Sequence, residues 1–495
     1  MTFFIKRTFT LGLCSALLTA GGVSCQTEKL DPVPQTLIPA ANIFDTPARV
    51  QLQLTGVYSF VKAGAFLGGR YQVYGDIRAN DFVNRTANNV TGFSVWNHTV
   101  VETSVNDVIN LWTQGYQAIN QANLFLAGLD ANESRFVPPT FPANFPLNAY
   151  RGEARLLRAL SYYSLLQLYA RPYADGNGSR PGLPLRLQAE TGPGNNDLAR
   201  STVAEVYDQI LRDLNFAEQN LPLSNGSALN NVTRAHRNTA IALKTRVYLS
   251  MGRYNDVITE ANKIVPTTGP LQASSGVLHT LAPSVSAVFA PPQETTESIL
   301  SFPFSAQDTP GTQNQLGFYF LPIALGGNGE YGLNPTGILG DMVAWPSSDT
   351  RRALVARAGT ESFLTKYTTT VTFTDKAPVI RYAEVLLNLA EARARTAGAN
   401  DPQALSLLNA VRTRSGSSPY TDASFTPMFT IIDAILQERR IEFLGEGLRN
   451  IDLMRLNATI PGKGTVAAVP PTRSNYIWPI PQPELATNRL MTRND

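Results

Sequence analysis

Histidine and cysteine are scarce in this chain. Its 495 residues hold three histidines, His98, His236 and His279. No two of them stand at ligand spacing, so neither a histidine-built metal site nor a cofactor is expected, and each is read as a surface or hydrogen-bonded residue. The two cysteines, Cys14 and Cys25, cannot form a disulfide framework. Cys14 lies inside an apolar N-terminal stretch, and once that stretch is removed the remaining thiol has no partner in its own chain. Charge is sparse as well. Charged residues make up 16%, and 41 basic against 38 acidic side chains leave a net charge of +3. A nucleic-acid binder would show a basic excess or a basic run, and there is neither. The chain also lacks a G-x-S-x-G nucleophile elbow and a phosphate-cradling P-loop.

Apolar side chains, by contrast, are plentiful. They make up 43% of the chain and aromatics 9%, which is ample for a large packed core and argues against disorder. At the N-terminus, Lys6 and Arg7 precede the short apolar run Phe9 to Gly21, and Gly22-Val23-Ser24-Cys25 follows. That is the layout of a secretory signal, too short to span a bilayer comfortably. A cysteine directly after small residues resembles the bacterial lipobox, although Gly22 stands where Leu is usual. Residues 1–24 are therefore expected to be a signal peptide and Cys25 the lipidated residue. Cleavage there removes two positive charges and leaves a nearly neutral body (+3 − 2 = +1). Residues 25–40, with Pro32, Pro34 and Pro39, read as a stiff lipidated tether. No later segment reads as a transmembrane helix.

Helical periodicity is strong in several stretches. Between Tyr150 and Ala170 the apolar residues cover more than one face, as in a helix buried between neighbours. Val203 to Leu221 carries Val206, Ile210, Leu214 and Ala217 on one face, and Pro222 stops it. Asn238 to Val265 reads as a hairpin broken at Gly252, Val379 to Thr396 with Pro402 to Arg414 as another pair, and Thr430 to Leu444 as a further helix. Tyr248, Gly252, Tyr254 and Ala261 fall at tetratricopeptide-like intervals, though Thr245 and Val257 stand where that repeat prefers small residues. The fold class expected is mostly α, a superhelical scaffold of tetratricopeptide-like helix pairs. Two regions break the pattern and are expected to form a large irregular, loop-rich half packed on it. They are Ala63 to Val101 and Pro266 to Arg351. Long irregular segments on a rigid scaffold tend to carry function.

The motifs resemble the SusD/RagB family of Bacteroidetes outer-membrane lipoproteins, in the family's order and over nearly the whole chain. Cys25 with Leu30-Asp31-Pro32-Val33-Pro34 is similar to its mature N-terminus. Trp112, Gly115-Tyr116, Ile119-Asn120 and Asn123 resemble its early helix. Glu153-Ala154-Arg155-Leu156-Leu157-Arg158-Ala159 with Tyr162-Tyr163 resembles its best-known one. Thr233-Arg234-Ala235, Arg246-Val247-Tyr248-Leu249 and Met251-Gly252-Arg253-Tyr254 follow. After them come Ile380-Arg381-Tyr382-Ala383-Glu384-Val385-Leu386-Leu387 with Ala390-Glu391-Ala392, then Glu438-Arg439-Arg440-Ile441-Glu442-Phe443 with Gly447-Leu448-Arg449 and Asp452-Leu453. Trp478-Pro479-Ile480-Pro481 with Glu484 and Asn488 is similar to the closing segment, although the chain ends Arg493-Asn494-Asp495 where the family often has Asn-Pro-Gly-Tyr.

The resemblance implies residues 41–495 as one SusD-like domain, with its helical scaffold mainly at 104–265 and 379–456 and ligand-facing regions at 63–101 and 266–351. It also implies a non-enzymatic role. Such proteins sit outside the cell on a TonB-dependent (SusC-like) outer-membrane barrel transporter, capture oligosaccharides or other nutrients, and act as its lid. A peptide-binding member of the same family and a lipid-anchored glycoside hydrolase are the alternatives.

Glu438 and Glu442, one helical turn apart, have the look of a carboxylate pair for glycoside hydrolysis. With Arg439 and Arg440 between them they are better read as intra-scaffold ion pairs, as are Arg381, Glu384 and Glu391. Asp349 with Arg351 and Arg352 reads as a loop-to-scaffold clamp. For ligand, a flat ring can pack on the C–H face of a pyranose while amides and carboxylates bond its hydroxyls. Trp96, Tyr319, Tyr331 and Trp345 are the candidate rings. Asp81 and Asn97 are their candidate hydroxyl partners.

Overall fold

The computed structural model describes residues 42–192, 194, 196–397 and 401–494. The signal, the tether and Cys25 lie outside the described residues.

Helix α1 (Pro47–Val61) starts where the Thr46 side chain accepts from the Arg49 N–H and proline occupies the first turn. Helix α2 (Arg70–Ile77) and the single turn α3 (Phe93–Trp96) follow, with strand β1 (Phe82–Asn84) between them. The scaffold proper runs through α4 (Asn110–Ala131), α5 (Leu147–Tyr169), α6 (Val203–Asn220), α7 (Arg237–Ser250) and α8 (Tyr254–Ala261). Each packs on its neighbour in that order, except that α6 lies against α7 across a longer connection. A capping box between Thr202 and Glu205 opens α6. Gly252, at φ +68°, supplies the left-handed turn between α7 and α8.

The chain then crosses the irregular segment, which holds β2 (Ser298–Phe302), β3 (Tyr331–Leu333), β4 (Val355–Ala358) and β5 (Glu361–Leu364). Strand β6 (Ala377–Arg381) runs straight into α9 (Tyr382–Ala397), followed by α10 (Pro402–Arg414), α11 (Ile431–Glu442) and α12 (Arg449–Arg455). Helix α9 packs against α7, α8, α10 and α11, which makes it the spine of the second half of the scaffold. Thr245, large for a tetratricopeptide position, fits because its hydroxyl accepts from the Asn388 amide across the α7–α9 contact, 3.0 Å.

Among the described residues there are three sheets, each two-stranded and antiparallel, β1 with β3, β2 with β6 and β4 with β5. In the first, Phe82 faces Leu333 and Asn84 faces Tyr331. These pairings tie the two irregular regions to each other and, through β2–β6, to the foot of α9.

The helix-pair scaffold is as expected, and so is the scarcity of long elements in 266–351. The stretch Tyr71-Gln72-Val73-Tyr74 departs from expectation, since it belongs to α2 and not to a loop. Gln72, Val73 and Tyr74 are buried together, so their polarity pattern carries no helical stripe. A close approach holds α2 in place. A Cβ on Gly75 would stand 2.2 Å from the Gly447 carbonyl oxygen, so only glycine lets α2 reach the turn before α12.

Candidate functional site

Buried ion pairs fasten the irregular half to the scaffold. The Arg351 guanidinium, on the loop before β4, bonds Asp349 at 2.6 Å, Glu438 at 2.5 Å and Glu442 at 3.1 Å. Glu442 is also held by Arg381 and Arg414, and Glu438 by Arg412. The three arginines around Glu442 outweigh its burial and hold its carboxyl well below the usual range. Glu438 and Glu442 are 1% and 0% exposed on their side chains, saturated by cations and out of reach of any glycosidic bond. Arg381, Glu384 and Glu391 are likewise bonded inside the scaffold, to Glu446, Arg246 and Arg455 respectively.

Three of the four candidate rings are core residues. Tyr319 and Tyr331 are fully buried, with centroids 6.3 Å apart and planes 23° apart. The Tyr319 hydroxyl donates to Gln313 O at 2.7 Å and that of Tyr331 to Thr91 O at 3.0 Å. Trp345 is 1% exposed under the Arg352 guanidinium, which lies 4.8 Å from its ring centroid. The expectation that these rings face outward is corrected. The irregular half has few long helices to build a core from, so it buries its large aromatics on one another and on its own loops, Tyr319 on Tyr331 and Trp345 under Arg352. Asp81 is also buried. It takes two bonds from Arg440, at 2.8 and 2.6 Å, and one from the Ile338 N–H at 2.9 Å. Its acceptor capacity is spent on a clamp, which is the role foreseen for Asp349.

Trp96 and Asn97 stand differently, because both are only half-buried. The indole N–H donates to Phe82 O at 2.9 Å and fixes the ring against β1. Phe93, one turn earlier, stacks on it at 6.1 Å with planes 21° apart. The Lys463 ammonium lies 5.4 Å from the Trp96 ring centroid, within cation–π range. Asn97 caps the turn through its backbone N–H, 2.8 Å from Phe93 O. Its side-chain amide has no hydrogen bond to the described residues. A rigid aromatic pair beside an uncommitted amide can pack on an apolar face and bond a hydroxyl. Phe93 was missed in the sequence although it lies three residues before Trp96, the spacing that puts two side chains on one helical face. Nothing in the sequence signals Lys463, which arrives from a loop far along the chain.

Other depressions lie on the scaffold side. One of about 730 Å³ is lined by Arg186, Glu190, Asn196 and Arg489, and one of about 290 Å³ by Trp112, Tyr116, Asn120 and Glu484. Arg186, Glu190 and Asn196 border both. The three histidines are all buried, which corrects their reading as possible surface residues, and the His236 and His279 rings stack at 5.2 Å.

Known proteins share this fold. Residues 348–495 match the family model described as "SusD family", and residues 30–249 the one described as "Starch-binding associating with outer membrane". The SusD-like protein P38 of Formosa agariphila is 22% identical over 548 residues, covering 99% of both chains. A laminarin-binding SusD-like protein of known structure has the same fold, with a TM-score of 0.68 at 22% identity over 91% of this chain and 99% of its own. A SusD superfamily protein from Bacteroides fragilis superposes with a TM-score of 0.80 and is 32% identical, over 91% of this chain and 100% of that one. Likeness at that identity over the whole of a solved relative, on the same helical scaffold, establishes descent as well as architecture: the chain belongs to the SusD superfamily.

Proposed function

We propose that this chain is a cell-surface lipoprotein of the outer membrane that captures an oligosaccharide without cleaving it. It delivers the ligand to a TonB-dependent barrel transporter, which it covers as a lid. The observation that carries the reading is the half-buried Trp96–Phe93 pair beside the uncommitted Asn97 amide, on the irregular half. The matched family description and the laminarin-binding relative support a carbohydrate as the ligand class. The saturated state of Glu438 and Glu442 supports binding without hydrolysis. Attachment is assigned to acyl chains on Cys25, which directly follows the small residues Gly22-Val23-Ser24 of the signal-like N-terminus.

The test is calorimetric titration of the mature chain with a panel of neutral and acidic oligosaccharides and casein-derived peptides, with chromatography of each sugar afterwards. Binding of a sugar that is recovered intact supports the proposal. Release of shorter sugars would establish the hydrolase alternative, and binding confined to peptides the peptide-capturing one. Co-purification of a barrel transporter from outer membranes tests the partnership.

A further inference from the structure

Arg449, the first residue of α12, is half-buried, and its side chain makes no hydrogen bond or ion pair with any described residue. Its Nε is buried without a partner. Burial, and then the neighbouring Arg440, draw its pKa below the ordinary guanidinium value. Arg440 is itself partly open, with 21% of its side chain exposed, and it bonds Asp81 and the Asn80 side chain, the latter at 3.0 Å.

The acidic groups whose charge is felt at Arg449 are Asp81, Asp452 and Asp76, none of them bonded to it. Asp452 is taken by Arg439 and Arg455, both at 2.9 Å. Asp76 is buried, and burial above all pushes its carboxyl up to about 8, so near neutral pH it is mostly uncharged. It accepts from the Gly447 N–H at 2.7 Å. Asp81 alone is left to answer both Arg440 and Arg449. The cations along the same stretch have no acid to spare either. Arg78 bonds only neutral groups, Asn450 at 2.7 Å and Tyr476 O at 2.6 Å. The Lys463 ammonium sits on the carbonyls of Ile77, Arg78 and Ala79, at 2.5, 2.8 and 3.0 Å.

A guanidinium half withdrawn from water with no acid bonded to it is costly, and a fork of N–H donors is shaped to take two oxygens of one anion. Asp81, which holds Arg440, directly precedes Phe82, whose carbonyl fixes Trp96. The cationic corner and the half-buried ring therefore share one short segment of chain. We propose that Arg449 and Arg440 form an anion subsite of the ligand surface, and that the captured glycan is acidic, carrying a carboxylate or a sulfate ester. This rests on the glycan-binding reading and narrows it to a ligand class.

The mature chain and its Arg449→Gln and Arg449→Lys variants are titrated with three probes: a galacturonate tetrasaccharide, a chondroitin sulfate tetrasaccharide and the neutral laminaritetraose. Wild type is expected to bind at least one acidic probe, more weakly as salt rises, and the two acidic arms separate carboxylate from sulfate. Arg449→Gln should weaken that binding about tenfold or more, a loss of about 1.4 kcal/mol. Arg449→Lys should retain part of it. The melting temperature of Arg449→Gln should hold or rise, because an uncompensated charge has been removed.

Binding of laminaritetraose alone would overturn the acidic-ligand inference and leave the glycan-binding reading standing, whereas binding of none of the three would count against both. Unchanged acidic binding in Arg449→Gln overturns the subsite. So does a variant that loses stability and binding together, since Arg449 would then be a packing residue.

Discussion

Replacing Arg351 by methionine should undo the fastening of the irregular half. The side chain is 3% exposed and bonds three carboxylates, Asp349, Glu438 and Glu442. These belong to a buried network in which five acids (Asp349, Glu297, Glu438, Glu442, Glu446) face five bases (Arg351, Lys366, Arg381, Arg412, Arg414), so its net charge is zero. Methionine fills most of the volume and leaves four bases against five acids, one uncompensated buried negative charge. Breaking a buried pair in this way costs about 3–5 kcal/mol, against a total stability of about 5–15 kcal/mol for a typical protein. Urea unfolding should register the loss. Amide exchange should quicken first in 331–364, the segment Arg351 holds down, and less in α4 to α6. Adding Glu438→Gln to Arg351→Met removes the surplus negative charge and should recover part of the loss. A cost below about 1 kcal/mol would put the pair in the class of exposed salt bridges and refute the clamp.

Three further outcomes are expected. Burial lowers the pKa of His279 to about 4, below the unfolded value of about 6.5. The fold therefore favours the neutral ring, and that contribution, full above about pH 6.5, is lost as pH falls toward about 4. Stability curves of wild type and His279→Asn against pH should converge in that window by at most about 1.4 kcal/mol per pH unit, and parallel curves would refute the assignment. Leu386, fully buried in α9, should cost about 2–5 kcal/mol when cut to alanine, measured by chemical denaturation. Cys25→Ser should abolish metabolic labelling with a fatty-acid analogue, and persistent labelling would place the anchor elsewhere.

The scaffold was legible in the sequence because buried helices declare themselves locally. The stripe in Val203 to Leu221, the break at Gly252 and the stop at Pro222 each follow from the chemistry of a few neighbouring residues. The ion pairs were legible in kind, since Glu438, Arg439, Arg440 and Glu442 could not all face water on a packed helix. The ligand surface was not. Tyr319, Tyr331 and Trp345 look the same in sequence whether a loop turns them inward or outward, and that choice is made by contacts with distant elements, such as the Tyr331 hydroxyl on Thr91 O. Asp81 has the composition of a sugar-binding acid, and only its pairing with Arg440 shows that it is committed. Lys463 takes its meaning from Trp96 and the carbonyls of Ile77, Arg78 and Ala79, and Arg449 in part from Asp81, all hundreds of residues away in the chain, which no local pattern records.

The most direct test of the account is the affinity of Trp96→Ala for the oligosaccharide that wild type binds most tightly. Trp96 is half-buried and held by one backbone bond, so its loss should weaken binding by more than about 1 kcal/mol, several-fold or more, with little change in melting temperature. Wild-type affinity in a folded Trp96→Ala protein would contradict the account and move the ligand surface away from this ring.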